Sequence, residues 1–240
     1  AVAVGDFDKA AIETIIKNQF GAIPRRPSPK PRAEFPVPAH PATMYAVATD
    51  KELPQTSVSV YTKMTARDQT TVGAYRTQMV ERLFGSMLST RYSELAQKPN
   101  PPFLGASAGR FGFVRTLEVS SLSASVKEEG VEGGLGGPFS EQERVARFGF
   151  TATELDRVKR NILRGLERAV TEKENQEAGP LADELARNFS DKEPIPGIEY
   201  EYALYQRFLP EITLAEVNAL AKTWVPDANR VVFVSGPDKP

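Results

Sequence analysis

The chain has 240 residues, 40% hydrophobic and 25% charged, with 30 basic and 31 acidic side chains and no cysteine. That length is one large domain or one and a fraction. With a formal net charge of -1, no basic excess points to nucleic acid or an anionic membrane, and without cysteine there are no disulfides, thiolate metal sites or cysteine nucleophiles.

The opening AVAVG reads as a strand already in progress, which predicts a piece of a longer protein. Asp6 or Asp8 is placed to cap a following helix, whose stripe is Ile12, Ile15, Ile16 and Phe20, with Gly21 ending it. No G-x-G-x-x-G or GK[ST] stands at the Gly5–Asp6 turn, so a phosphate cradle is a poor reading there. Residues 24–41, PRRPSPKPRAEFPVPAHP, hold seven prolines and read as an extended linker. His40, the only histidine, sits at its end and reads as a solvated loop side chain.

Two strands are predicted next, at residues 44–50 and 56–64, the second with Val58, Val60, Thr62 and Met64 alternating against Ser59, Tyr61 and Lys63. TVGAYRTQMVERLFGSMLSTRYSELAQ then has the spacing of a long helix. Val72, Tyr75, Met79, Leu83 and Met87 form its stripe, widened by Val80, Phe84 and Leu88. Arg76, Glu81 and Arg82 are expected on its wet side. Prolines at 99, 101 and 102 stop it.

FLGASAG reads as a small-residue strand with accessible backbone, suited either to close packing or to an edge on which another chain pairs. In the following segment the apolar parity changes from Leu117 and Val119 to Leu122, Ala124 and Val126. A strand restart near Ser120 is expected, with a bulge as the alternative. GVEGGLGGPF reads as a flexible break.

Ser140-x-x-Glu143 and Thr151-x-x-Glu154 are capping-box patterns, each predicted to open a helix. Leu155, Val158, Ile162, Leu166 and Val170 stripe the second, with its basic residues on a solvated face. Further helices are marked by Leu181, Leu185 and Phe189, then by Ile198, Tyr202, Tyr205 and Leu209. Thr213-x-x-Glu216 opens one more, running to Trp224 before Pro226. Residues 230–235 are the last strand and echo the opening AVAVG.

The ordered series LFGSMLSTRYSELAQ, NPPFLGASAG, SLSASVKEEG, GFTATELDRVKRNILRGLERA, PGIEYEYALYQRFLPEITLAEVNALAKTWV and RVVFVSGP resembles a non-catalytic, second domain of the insulinase/pitrilysin-type (inverzincin) zinc metallopeptidases. The resemblance implies an α+β fold like that of mitochondrial processing peptidase and LuxS-type metallohydrolases. That fold has a mixed, largely antiparallel sheet, here two hairpin-like pairs plus a terminal strand, with helices packed mainly on one face. It also implies three parts: residues 1–24 as the last βα unit of a preceding catalytic domain, 25–41 as linker, and 42–240 as the inactive peptidase-like domain.

Catalysis in that family requires H-x-x-E-H, two histidines binding zinc with the glutamate as general base. One histidine cannot supply it, so this chain is expected to be inactive and to hold no metal. Zinc is implied only for the parent enzyme. In the segment where later domains of the family carry a substrate-contacting arginine and tyrosine, Ala96 and Phe103 stand here. By resemblance, Leu104, Gly105, Ala106 and Ser107 form an edge strand that anchors peptide by β-augmentation. The implied partners are the catalytic domain of the same polypeptide and peptide substrates, and the implied location is the bacterial periplasm. The alternatives are a scaffold or assembly subunit of the same superfamily, or a peptide-binding module.

Overall fold

The protein is described here by a computed structural model covering residues 1–238 apart from 29, 32, 68 and 128. Pro29 and Arg32 of the expected linker therefore lie outside the described residues. In chain order the elements are α1 (Lys9–Phe20), β1 (Met44–Asp50), β2 (Thr56–Thr65), α2 (Val72–Ala96), β3 (Gly105–Val114) and β4 (Leu117–Val126). Then come α3 (Val131–Phe148), α4 (Ala152–Thr171), α5 (Ala178–Asp191), α6 (Ile198–Phe208), α7 (Leu214–Ala219) and β5 (Arg230–Pro237).

The sheet order is β1-β5-β2-β4-β3. Only β1–β5 is parallel; β5–β2, β2–β4 and β4–β3 are antiparallel. This is the expected mixed, largely antiparallel sheet with one correction. β1 and β2 are not a hairpin pair, because β5 lies between them. β3 and β4 do form a hairpin.

Cross-strand partners share a face, so Val58, Val60 and Thr62 of β2 stand beside Ala124, Leu122 and Ser120 of β4. α2 and α3 pack on this face, and Met79, Leu83, Phe84, Met87 and Leu88 of α2 are buried in the core. The other face carries serines. Ser57 and Ser235 hydroxyls meet at 2.9 Å, and Ser59 donates to Ser123 at 2.9 Å. At one end of the sheet the proline-rich segment is tied down. Thr116 Oγ1 donates to the Phe35 carbonyl at 3.2 Å, Lys63 donates to the Pro38 carbonyl, and the main chains of His40 and Asn229 are joined.

Several expectations are corrected. β4 is one continuous strand, with neither a restart nor a bulge at Ser120; the register irregularity is on β3, between Gly112 and Val114. The parity change arises because Leu117 through Leu122 are buried on both faces. GVEGGLGGPF is helical, and its glycines are what allow α3 to lie so close to its neighbours. A Cβ at Gly134 would stand 2.3 Å from Val126 Cγ1, and one at Gly133 2.8 Å from the Pro102 carbonyl. Ser140 consequently lies inside α3 and caps nothing. Residues 1–4 form no strand, since an unpaired strand leaves its main-chain groups without partners. α1 forms, capped by Asp8, but buries no residue.

The other two capping boxes are present, at Thr151–Glu154 and Thr213–Glu216. The tyrosine cluster on α6 is largely core: Tyr205 is buried and Tyr202 packs against the core. α5 forms as expected, yet its stripe of Leu181, Leu185 and Phe189 is exposed.

Candidate functional site

The predicted peptide edge falls on the outermost strand of the sheet, next to α2. Gly105, Ala106 and Ser107 begin β3, and Leu104 precedes it with its N–H bonded to the Ser125 carbonyl at 2.8 Å. The side chains divide as the alternation requires, with Ala106 and Ala108 packed against the core. Along a strand the main-chain groups alternate in direction. The N–H of Ala108 is not in the ladder: it points outward and donates to Ser89 Oγ of α2 at 2.9 Å. α2 comes this close because residue 85 is glycine, where a Cβ would lie 2.9 Å from the Ala108 carbonyl. The edge is thus capped by α2 at Ala108. Counting back two residues by that alternation puts the main-chain groups of Ala106 on the same side as those of Ala108.

Beside that edge lies a charge network that the sequence did not signal. Glu81, expected on the wet side of α2, is 8% exposed, and Glu118 of β4 is 2% exposed. Arg67 donates to both, and Arg110 reaches Glu118 at 2.7 Å and Glu81 at 2.8 Å. Burial works against the charge of Glu118, yet the hydrogen bonds from Arg67 and the charge of Arg110 hold its carboxyl below the usual range. The only hint in the sequence was an acid between Leu117 and Val119.

A second network joins three helices. Arg91 of α2 makes a two-pronged contact with Glu154 of α4, at 2.6 and 3.0 Å, and reaches Glu141 of α3 at 2.9 Å. Burial opposes the charge of Glu154, but Arg91 and Thr151 bring its carboxyl down to about 2.

Between α2 and α6 is a cavity of about 430 Å³ whose lining includes Tyr75, Arg82, Glu201 and Tyr205. Burial, followed by the hydrogen bond to Glu201, pushes the Tyr75 hydroxyl far above its ordinary value. Arg82 Nη1 donates to the Tyr205 hydroxyl at 2.9 Å.

None of this fits zinc. Among the described residues, no three His, Cys, Asp or Glu side chains are grouped to hold a metal, and Glu81 and Glu118 already have two guanidiniums as counter-charge. His40 is not simply solvated as expected. Its main chain is pinned to Asn229, and Nδ1 lies 2.6 Å from the Ala42 carbonyl. Ala96 ends α2, and Phe103 is buried edge-on against Tyr92, its ring centroid 6.0 Å away. Neither reaches out to a substrate. No helix among the described residues is long and apolar enough to cross a membrane.

Comparison with known proteins places these features. The family model described as "Peptidase M16 inactive domain" matches residues 1–162. A zinc protease PQQL-like protein of Arabidopsis thaliana is 28% identical over 218 residues, which is 90% of this chain and 20% of that protein. The first half of the periplasmic protease PqqL from Escherichia coli superposes with a TM-score of 0.81 at 18% identity, over 98% of this chain and 50% of that one. A predicted insulinase family protease from Yersinia pestis gives 0.77 at 16%, over 99% and 51%. The chain spans a fifth of its Arabidopsis relative and half of each of these two solved chains.

Proposed function

Because the chain belongs to the peptidase M16 inactive-domain family, we propose that it is the non-catalytic domain of a zinc metalloendopeptidase, serving as wall of the peptide chamber and as an anchor for extended peptide. The observation that carries the anchor is the outermost place of β3 in the sheet, with Ala106 two residues before the outward N–H of Ala108. Main-chain pairing holds a peptide without demanding particular side chains. The small hydroxyl side chains of Ser57, Ser59, Ser123 and Ser235 on the far sheet face suit a wall that must pass varied sequences.

The zinc and the proteolysis belong to the parent enzyme, and the partners are a catalytic domain of the same polypeptide and its peptides. Residues 1–24 are read as the closing βα unit of that catalytic domain and 25–41 as the linker, supported by an α1 that buries nothing in this chain. Likeness to the periplasmic E. coli protease supports an extracytoplasmic location.

The test is binding of an acetylated, amidated decapeptide alternating Val and Lys to the 240-residue chain, followed by amide exchange at Ala106. Ala106→Pro removes the outward donor without taking a ladder bond, and a tenfold or greater loss of affinity is expected. Gly105→Pro is the poorer probe, since it also breaks the sheet. Equal affinity of Ala106→Pro and parent would remove the anchoring role. Stoichiometric zinc with peptide turnover by the purified chain would remove the non-catalytic reading.

A further inference from the structure

A second groove lies on the far side of Arg82, between α2 and α4, and nothing described so far uses it. Its volume is about 500 Å³, within the range of small-ligand sites. One wall is the row Arg82, Ser86 and Thr90, spaced four residues apart on α2; the other comes from α4 and includes Val158, Ile162 and Leu166. No acidic residue lines it.

Arg82 is exposed, and among the described residues no carboxylate pairs with it. The Tyr205 hydroxyl, together with the ring 5.4 Å from its guanidinium carbon, holds it in position. Ser86 Oγ and the Asn161 side chain make no hydrogen bond with another described residue. The floor is Gly165, in the middle of α4. Glycine there costs a helix about 0.5–1 kcal/mol relative to alanine, and a Cβ on it would meet nothing within 4 Å. Packing among the described residues therefore gives no reason for the glycine, whereas close approach of a ligand does.

We propose that this groove binds the C-terminal end of a peptide, with the carboxylate on Arg82 and Ser86 and an apolar last side chain over Gly165 against Ile162. A fixed cation that no carboxylate of the described residues pairs with selects a carboxylate, and the acid-free apolar wall selects an uncharged side chain beside it. Each peptide-bond cleavage creates one new carboxyl terminus. Naming a peptide as ligand rests on the proposed function, while the selection for an apolar carboxylate rests on the groove alone.

The test uses the 240-residue chain, isotope-labelled for NMR, titrated with acetyl-Gly-Gly-Gly-Gly-Leu as free acid and as carboxamide. The free acid is expected to shift the amides of Arg82, Ser86 and Gly165, with the carboxamide at least tenfold weaker. Arg82→Gln should lose at least tenfold toward the acid. Gly165→Leu fills the floor on a helix it does not disturb, and should abolish binding with an unchanged circular dichroism spectrum. Gly136→Ala, outside both the groove and β3, should bind the acid as the parent does. Equal binding of acid and carboxamide, no shifts by about 5 mM, or undiminished binding by either groove variant overturns the proposal. Shifts confined to β3 also overturn it and leave the edge-strand anchor standing. Groove binding by a chain whose β3 binds no decapeptide separates the two in the other direction.

Discussion

The glycine-rich start of α3 permits a test in which one substitution is made twice in one helix with opposite expected signs. Gly134 and Gly136 are two residues apart. Replacing either by alanine removes the conformational freedom of glycine from a helix interior, a gain of about 1 kcal/mol. At Gly136 a Cβ meets nothing within 4 Å, so the gain stands. At Gly134 the new methyl would stand 2.3 Å from Val126 Cγ1 and 3.6 Å from Val58 Cγ2. Both valines are buried β-strand residues whose side chains are stiff, and ordinary carbon contact is near 3.5–4.0 Å. Relieving the overlap by moving the helix or Val126 costs about 2–4 kcal/mol, the upper range for overpacking a dense core. Gly134→Ala should therefore be less stable by about 1–3 kcal/mol, and Gly136→Ala more stable by about 0.5–1. In a chain of this size 1 kcal/mol moves the melting temperature by about 2–4 °C, so thermal unfolding resolves the pair. A Gly134→Ala chain as stable as the parent would mean that α3 does not lie against β4 as described.

Two further outcomes concern the buried charges. Glu118→Gln leaves Arg67 and Arg110 facing a neutral amide in a buried site, and removing one partner of such a network costs about 3–5 kcal/mol. A melting-temperature loss of about 6 °C or more is expected, and a loss under about 2 °C would show that solvent screens the network. Glu154 is held down to about 2 in the folded chain against about 4.3 in an unfolded one. A depressed folded value contributes stability that is complete above the unfolded value and disappears as pH falls toward the folded one. Glu154→Gln should thus be less stable than the parent at pH 7, by about 1–2 kcal/mol after allowance for solvent contact. The gap should close between about pH 4.3 and pH 2, and a gap independent of pH would contradict the pairing with Arg91.

Local chemistry made some elements readable and hid others. Thr151–Glu154 and Thr213–Glu216 announce helix starts because a capping box is satisfied entirely within four residues. β2 was readable because one of its faces packs the core throughout. α3 was hidden because glycine is a breaker by propensity, and only contact with Val126 and Pro102, distant in sequence, makes it the required residue. β4 was hidden because burial on both faces erases alternation. The position of β5 between β1 and β2 is a tertiary choice that no local pattern records. At the candidate sites, the edge strand was visible in FLGASAG, but its capping by Ser89 was not. Arg82 looked like any wet-side cation until the structure showed it without an acidic partner among the described residues.

α1 has the sequence of a helix and lacks the surroundings of one. Asp8 caps it, with a 2.8 Å bond from the Ala11 N–H, for about 1 kcal/mol. The exposed Glu13–Lys17 pair adds a few tenths. Against these stands the cost of nucleation, which leaves isolated helices shorter than about 12–15 residues marginal in water, and α1 has 12 residues and no buried side chain. Its opening free energy is therefore near zero. In α2, Leu83, Phe84 and Leu88 have no exposed surface, and their amides should open only with the whole fold, at about 5 kcal/mol or more. Native-state hydrogen exchange should accordingly give protection factors below about 10 for residues 12–20 and above about 10³ for the middle of α2. Protection of α1 equal to that of α2 would refute the account, since it would require Ile12, Ile15 and Ile16 to be covered. If that protection rose with chain concentration, the cover would be a second copy; if not, it would be this chain's own sheet.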